Sequence, residues 1–262
     1  MSTLPPGRRA VLHALADSPQ AIVEHGLALA DQPAPDPATL APDEVLIAVR
    51  SAAVGWVDLL MTSGQYQHVP EPPYTPGLEF AGEIVGRGRD VQGLAVGAEV
   101  IADGLLTGPR SLGAHRRFGG FASYAVAPAR AVLPLPPGLS LDEGACLLGG
   151  YETAYHALVQ RARVLPGEHV LVLGATGSTG LAAVAVLLAA VYPSLATPIF
   201  AEPEIGLLSV PPTLRGQGIG RALAVACAKH GATVVLLGRS VKKLEAVYDE
   251  IELAGYPKPA AV

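Results

Sequence analysis

The sequence predicts an α/β protein, α+β overall, in which a β-rich domain precedes a doubly wound parallel sheet. Between about Arg9 and Pro137, short runs of alternating apolar residues are bounded by Gly, Pro and Asp, which is typical of strands joined by turns. The remainder alternates apolar strands with helical patterns, the order in which doubly wound sheets are built. We therefore expect two domains, 1–138 and 139–262.

Four segments carry the strand pattern of the first domain. They are DEVLIAVRSAAVG, GEIVGRG, GAEVIADGLL and FASYAVAPARAVLPLP. The next stretch, residues 140–160, has Ala, Leu and Tyr at helical spacing and offers Ser140 and Asp142 as caps. It therefore predicts a helix at the start of the second domain.

The second domain begins its sheet with an apolar strand over His169–Leu173, followed by a glycine-rich turn and a helix. A strand that is apolar on both faces indicates a sheet covered on both sides. A second helix, strand and charged helix follow, the strand over Thr233–Leu237 and the last helix ending near Gly255. If these elements continue the first strand, the two strands lie side by side and parallel. The segment 191–214 is rich in proline, so we expect an irregular insert with one strand at EIGLLSV.

Composition excludes several classes of protein. Half of the 262 residues are apolar and 16% are charged, so the chain is expected to fold. A net charge of −5 with scattered Lys and Arg argues against a nucleic-acid partner. The longest apolar run, Gly180 to Val191, is too short to span a bilayer, and the first residues do not resemble a signal peptide. Two distant cysteines, Cys146 and Cys227, fit a reducing cytoplasm.

Three glycines, Gly174, Gly177 and Gly180, follow the first strand of the second domain with the spacing G-x-x-G-x-x-G. Glycine permits a tight turn, lets the backbone approach a pyrophosphate, and lets the helix pack closely on the strand. The amino end of the following helix offers unpaired N–H groups to an anion. The pattern predicts a dinucleotide site, with a purely structural turn as the alternative.

These stretches resemble a known family. From about Arg9 to Val186 the chain is similar to the zinc-free quinone oxidoreductase branch of the medium-chain dehydrogenase/reductase superfamily, through PDEVLIAVRSAAVGWVDLLMTSGQY, PYTPGLEFAGEIVGRG, GGFASYAVAPARAVLPLPPGLSLDEGA and ETAYHALVQRARVLPGEHVLVLGATGSTGLAAV. The resemblance implies a GroES-like barrel at 1–138 and a partial Rossmann-like domain at 139–262. It also implies NADP(H) as the cofactor and a small-molecule quinone or conjugated carbonyl as the acceptor.

The resemblance assigns site residues position by position. The pyrophosphate loop corresponds to Gly174, Thr176, Gly177, Ser178, Thr179 and Gly180. Thr153 matches a threonine near the nicotinamide, and Tyr66 matches a tyrosine at the mouth of the substrate cleft. The chain departs from the family at Gly55-Trp56-Val57-Asp58, where Asn-x-x-Asp is common, and at Gly-Ser-Thr-Gly in the loop, where Gly-Gly-Val-Gly is more usual.

No metal site is expected in the first domain. It contains no cysteine, and His68 and His115 lack partners at ligand spacing. Hydride transfer without a metal leaves protonation of the reduced oxygen to water or a hydroxyl, for which Tyr66 is the candidate. The alternative is a tyrosine that packs a loop onto the barrel.

A second glycine loop follows the insert. From roughly Tyr192 to Leu223 the chain resembles the acetyl-CoA loop of an acetyltransferase family, in which Arg215, Gly216, Gly218 and Gly220 would hold a pyrophosphate. Residues 218–262 are similar to the opening βαβ unit of short-chain dehydrogenases, where Arg239, with Lys243 nearby, would meet the 2′-phosphate of NADPH. The alternative for both side chains is a solvated helix start.

The leading hypothesis is therefore an NADPH-dependent, zinc-independent oxidoreductase that uses the first glycine loop. A second hypothesis is a catalytically defective mosaic of three families that folds and binds or dimerises without turnover. A third is acyl-CoA binding at the second loop. An open edge of the sheet that pairs with a second copy would give a homodimer.

Overall fold

The computed structural model describes residues 4–111, 113–166, 168, 170–191, 205–208, 219–229, 233–236 and 241–261. The chain divides into two compact units, Met1–Leu148 and Gly149–Val262. Each unit is built around its own apolar clusters. The division follows Leu148, so the stretch 139–148 belongs to the first unit by its contacts.

The first unit is made of antiparallel strands with short helices at their ends. Its elements are β1 (Gly7–Leu12), α1 (Pro19–Ala21), β2 (Leu27–Gln32), β3 (Glu44–Ala53), α2 (Trp56–Thr62), β4 (Glu79–Arg87), β5 (Glu99–Ala102), β6 (Tyr124–Pro128), β7 (Val132–Pro134) and α3 (Leu141–Ala145). Strands β6-β3-β4-β5-β7 form one five-stranded sheet, and β1 and β2 form a separate pair. The strand-rich first half is confirmed.

The five-stranded sheet curls into a half-barrel around an apolar core. Alternate residues of β3, including Val45 and Ile47, join Phe80 and Ile84 of β4 in one buried cluster. This follows from the period of two along a strand, which sends every second side chain to the same face. The GroES-like barrel expected for this half of the chain is therefore present as a curled antiparallel sheet.

Helix α3 closes one side of this unit. Ser140 caps it, since its hydroxyl accepts from the Glu143 amide while the Glu143 carboxylate accepts from the Ser140 amide at 2.8 Å. The expected cap at Ser140 is confirmed, whereas Asp142 lies inside the first turn. Ala145 of α3 then packs with Ala81 and Ile101 of the sheet.

The second unit contains a four-stranded parallel sheet. Its elements are α4 (Leu148–Tyr155), which begins at the division between the units, β8 (Val170–Leu173), α5 (Ser178–Val186), β9 (Ile205–Leu208), α6 (Ile219–Lys229), β10 (Thr233–Leu236), α7 (Val241–Leu253) and β11 (Ala260–Ala261). The strand order is β11-β10-β8-β9, and each neighbouring pair is parallel. Val170 pairs with Thr233 and Val172 with Val235, so the expected parallel pairing of these two strands is confirmed.

Helices cover both faces of the parallel sheet. Val170 and Val172 of β8 pack with α4 and α5, whereas Leu173 packs with the cluster of α6, β10 and α7. The uninterrupted apolar run of β8 is explained by this burial on both sides. If the four strands are numbered 1 to 4 in chain order, from β8 to β11, their order across the sheet is 2-1-3-4. This is the flavodoxin-like variant of a doubly wound sheet rather than the order 3-2-1-4.

The proline-rich insert supplies one strand of this sheet. The strand expected at EIGLLSV is confirmed as β9, which pairs with β8 from Val170↔Ile205 to Leu173↔Leu208. The rest of the expected insert, 192–204 and 209–214, lies outside the described residues. Within the part of the chain that the structure describes, every helix is too short or too polar to cross a membrane.

Candidate functional site

The candidate site is the turn between β8 and α5, and its first glycine makes the turn possible. Gly174 has φ of 76°, a left-handed conformation that side chains with a Cβ rarely adopt. The Gly177 amide donates to the Gly174 carbonyl oxygen at 3.0 Å, which closes the turn. The chain therefore reverses within four residues and enters α5.

The second glycine leaves room above the turn. Gly177 is the N-cap of α5, with φ of −82° and ψ of 166°, and no side chain caps this helix. A Cβ built on Gly177 would meet only the Gly174 carbonyl oxygen, at 3.5 Å, and the neighbouring Thr176 and Ser178 are exposed. Because the first amides of a helix lack intrahelical acceptors, an anion can approach the N–H groups of Ser178, Thr179 and Gly180.

The third glycine brings α5 close to the turn. A Cβ on Gly180 would overlap the Gly174 carbonyl oxygen and lie 2.7 Å from the Ala175 Cα. Gly180 is buried, and Ala182 and Ala183 continue the packed face of the helix. The three glycines thus perform the three separate tasks of a pyrophosphate loop: turn, approach and close packing.

Helix α4 borders the amino end of α5. A Cβ on Gly150 would lie 3.3 Å from the Ser178 Oγ and 3.5 Å from the Ala182 Cβ, so the two helices meet closely here. Thr153, one turn further along α4, is half-buried and donates its hydroxyl to the Gly149 carbonyl oxygen at 2.7 Å. Its oxygen lone pairs stay available to accept a hydrogen bond. The packing of Gly150 is a feature that sequence reasoning missed, because no local pattern announces which helix will meet the loop.

The topology places the turn at a switch point of the sheet. Strands β8 and β10 lie side by side in the sheet. After β8 the chain continues into α5 on one face, whereas after β10 it continues into α7, which packs in the apolar cluster on the other face. Ligands of doubly wound sheets bind outside the carboxyl ends of strands at such a point. Lys243 lies exposed in the first turn of α7, whereas Arg239 lies outside the described residues, as do Arg215, Gly216 and Gly218 of the second glycine loop.

In the first unit, Asp58 holds α2 to the loop before β4. Its Oδ2 accepts from the Gly55 amide at 2.9 Å, and its Oδ1 accepts from the Leu78 amide at 3.0 Å. Asp58 is 6% exposed, and this burial raises its pKa from 3.8 to about 6 although the backbone amides act in the opposite direction. In the sequence Asp58 stands out only as the last residue of an altered family motif, although its spacing from Gly55 is also that of a capping box.

Tyr74 and Tyr66 are the two tyrosines nearest to this helix in the chain. Burial, and then the charge of Asp58, raise the pKa of the Tyr74 hydroxyl, which has no hydrogen-bond partner among the described residues. Tyr66 lies half-buried in the loop that follows α2. Its expected role at a substrate cleft stays a prediction.

The described residues contain no group of three or more His, Cys, Asp and Glu side chains placed to hold a metal ion. His115 lies on the 3₁₀ turn Ala114–Arg117, where its Nε2 contacts the Glu44 Oε1 at 2.8 Å. That histidine therefore joins a turn to the sheet.

Comparison with known proteins agrees with this fold. Residues 41–137 match the alcohol dehydrogenase GroES-like domain. The chain is 38% identical over 145 residues to a quinone oxidoreductase-like protein 2 homolog of Nematostella vectensis, covering 55% of this chain and 37% of the relative. It is 38% identical over 164 residues to a quinone oxidoreductase of Lama guanicoe, covering 62% and 46%. The chain spans less than half the length of these curated relatives.

Two solved structures are similar over most of the chain. A probable oxidoreductase from Mycobacterium abscessus is 27% identical with a TM-score of 0.65, covering 92% of this chain and 71% of that one. The quinone oxidoreductase from Thermus thermophilus, solved also in complex with NADPH, is 26% identical with a TM-score of 0.62, covering 92% and 70%. Residues 41–137 thus match an alcohol dehydrogenase GroES-like domain, and the chain is similar to quinone oxidoreductases over more than half of its length.

Proposed function

We propose that the protein is an NADPH-dependent, zinc-independent oxidoreductase that reduces quinones or other conjugated carbonyl compounds. The observation that carries the proposal is the open approach to Gly177 at an uncapped helix start, between a left-handed Gly174 and a tightly packed Gly180. The similarity to quinone oxidoreductases, one of them solved with NADPH, supports the same assignment.

In this proposal the residues of the second unit bind and orient the dinucleotide. The amides at the start of α5 hold the pyrophosphate, with Thr176, Ser178 and Thr179 supplying hydroxyls around it. Thr153 orients the nicotinamide, while Arg239 and Lys243 meet the adenosine 2′-phosphate. The bound cofactor supplies the hydride.

The first unit supplies the acceptor side. Hydride transfer to a carbonyl leaves a negative charge on its oxygen. We assign the Tyr66 hydroxyl, or water, as the donor of the proton that neutralises this charge. Positioning of the two reactants accounts for the remaining rate acceleration. The small-molecule partner is therefore a quinone or an enone.

Replacement of one glycine tests the site without unfolding the protein. Gly177→Asp adds a favourable N-cap, because the backbone of Gly177 is extended and an Asp side chain accepts from the next amides. We expect an equal or higher melting temperature, with NADPH binding weakened at least about a hundredfold by the carboxylate in the pyrophosphate position. Quenching or enhancement of fluorescence during an NADPH titration measures the affinity.

The matched control is Leu253→Asp, which adds the same charge at a side chain of α7 that is 88% exposed. This variant should bind NADPH as the wild type does. NADPH binding that survives in Gly177→Asp, or that is absent from the wild type, would overturn the proposal.

A further inference from the structure

Two adjoining cavities of the first unit have a basic lining that the proposed reaction does not use. Their volumes are about 200 and 490 Å³, and Pro73 and Arg117 line both. Arg9 and Thr75 line the smaller, and Glu71 and Arg116 the larger. We call the pair the arginine cavity.

Main-chain hydrogen bonds fix the walls of the arginine cavity. The Leu12 amide donates to the Tyr74 carbonyl oxygen at 2.9 Å, and the Tyr74 amide donates back at 3.2 Å. The Thr75 amide donates to the Arg117 carbonyl oxygen at 3.4 Å. Strand β1, the segment before β4 and the turn Ala114–Arg117 are thereby joined, so the Cα atoms of the arginines are held in place before any ligand arrives.

The charges of the cavity are not balanced within the protein. The lining includes three exposed arginines and one acidic residue, Glu71, which is also exposed. Arg9, Arg116 and Arg117 form no ion pair with any residue that the structure describes. Glu44, which holds the turn through His115, also accepts from the Ala41 amide.

This local excess of positive charge occurs in a protein whose net charge is −5. A concave surface lined by one sign of charge concentrates counter-ions, and guanidinium groups bind carboxylate and phosphate in a bidentate manner. Arg117 also lies 5.5 Å from the centre of the Phe118 ring, which restricts its guanidinium. The wall includes the buried Tyr74, whose hydroxyl has no partner in the described part of the chain.

We propose that the arginine cavity binds a small organic anion through a phosphate or carboxylate group held by Arg9, Arg116 and Arg117. The larger cavity has the volume of a small-molecule site, roughly 300–1,000 Å³. The site lies wholly within the first unit, so its occupancy does not depend on the dinucleotide proposed for the second unit.

Calorimetric titration of the full chain with inorganic pyrophosphate, and separately with citrate, tests this site. The chain carries Gly177→Asp throughout, so the glycine loop contributes no anion binding. We expect saturable binding of at least one of the two anions, weakened at least about tenfold by Arg117→Gln and likewise by Arg9→Gln, since each removes charge-assisted hydrogen bonds.

The matched control is Arg89→Gln, which removes the same charge from a side chain that is 82% exposed and lies near Asp90, outside the cavity. Tighter pyrophosphate binding would identify a phosphate ligand, and tighter citrate binding a carboxylate ligand. No saturable binding of either anion, or equal weakening by Arg89→Gln, would overturn the proposal. Arg116→Gln repeats the test if Arg117→Gln lowers the melting temperature. The dinucleotide proposal is judged separately, by the NADPH response.

Discussion

At the residue scale, each glycine of the loop after β8 has its own reason to be glycine. The sequence alone predicted all three positions, because the spacing of Gly174, Gly177 and Gly180 between a strand and a helix is informative. The three roles are distinguished only in the folded structure, because they depend on the φ angle of each glycine and on the atoms that a Cβ there would meet. These differences translate directly into different effects of the same substitution.

Gly180→Ala is expected to destabilise the second unit by about 1–3 kcal/mol, because the new methyl group would overlap the Gly174 carbonyl oxygen and force α5 away from the turn. Gly177→Ala is the matched control. Its methyl group meets one atom at 3.5 Å and its backbone is extended, so only the poorer capping of α5 by Ala remains, and the unfolding free energy should fall by less than about 1 kcal/mol. Urea denaturation of the two variants measures the difference, and equal effects would contradict the close packing at Gly180.

At the element scale, Asp58 connects the start of α2 to the loop before β4 through its two hydrogen-bonded oxygens. Helix α2 is only seven residues long and has little stability of its own, so this connection and the burial of Met61 hold it. The connection carries a cost that depends on pH, because the carboxylate is buried.

The contribution of Asp58 to the free energy of unfolding should therefore fall as pH rises. The pKa of Asp58 is raised to about 6 in the folded protein from 3.8, so the folded state binds the proton more strongly. Its stabilising contribution is complete below about pH 4 and is lost as pH rises through about 6, by about 3 kcal/mol in total. The stability difference between the wild type and Asp58→Asn should shrink by most of this amount, roughly 2.4 kcal/mol, between pH 4 and 7.

Urea denaturation at several pH values measures that difference. Asp90→Asn serves as the control, because its side chain is 66% exposed and should give a difference that varies little with pH. A difference between wild type and Asp58→Asn that stays constant from pH 4 to 7 would contradict the burial of a charged Asp58.

The elements themselves were predictable to different degrees. Strands β8 and β10 and helix α7 have strong local patterns, and the expected end near Gly255 agrees with a helix that ends at Leu253 and a Gly255 with φ of 73°. Strand pairing was harder, because it joins residues far apart in the chain. The two-residue β11 is too short to leave a pattern, and the pair of β1 and β2 was not anticipated as a separate sheet.

At the scale of the whole molecule, two units with separate cores carry the two halves of the proposed chemistry. The sequence predicted a parallel sheet, but not that the strand from the insert would lie beside β8. Propensity describes which residues favour a strand, whereas the sheet order depends on which edges remain open once the helices have packed. The arginine cavity was likewise invisible in the sequence, because its three arginines come from β1 and from a turn more than a hundred residues later.

Hydrogen exchange of the whole chain distinguishes the three hypotheses for the two glycine loops: NADPH binding at the first, acyl-CoA binding at the second, and no cofactor at either. NADPH at about a hundred times its Kd should add about 2.7 kcal/mol to the stability of the unit that binds it. We expect slower exchange in the peptide that covers β8 and the start of α5, since ligand contacts suppress the local opening of that turn. Gly177→Asp should abolish this protection, and Leu253→Asp should retain it.

Acetyl-CoA is the comparison ligand. If acetyl-CoA protects the amides around Arg215 to Gly220 and NADPH protects none around Gly177, the nucleotide site belongs to the second loop. If neither ligand slows exchange, the hypothesis of a folded mosaic without a cofactor is supported, because a dinucleotide held by the amides of α5 must slow their exchange.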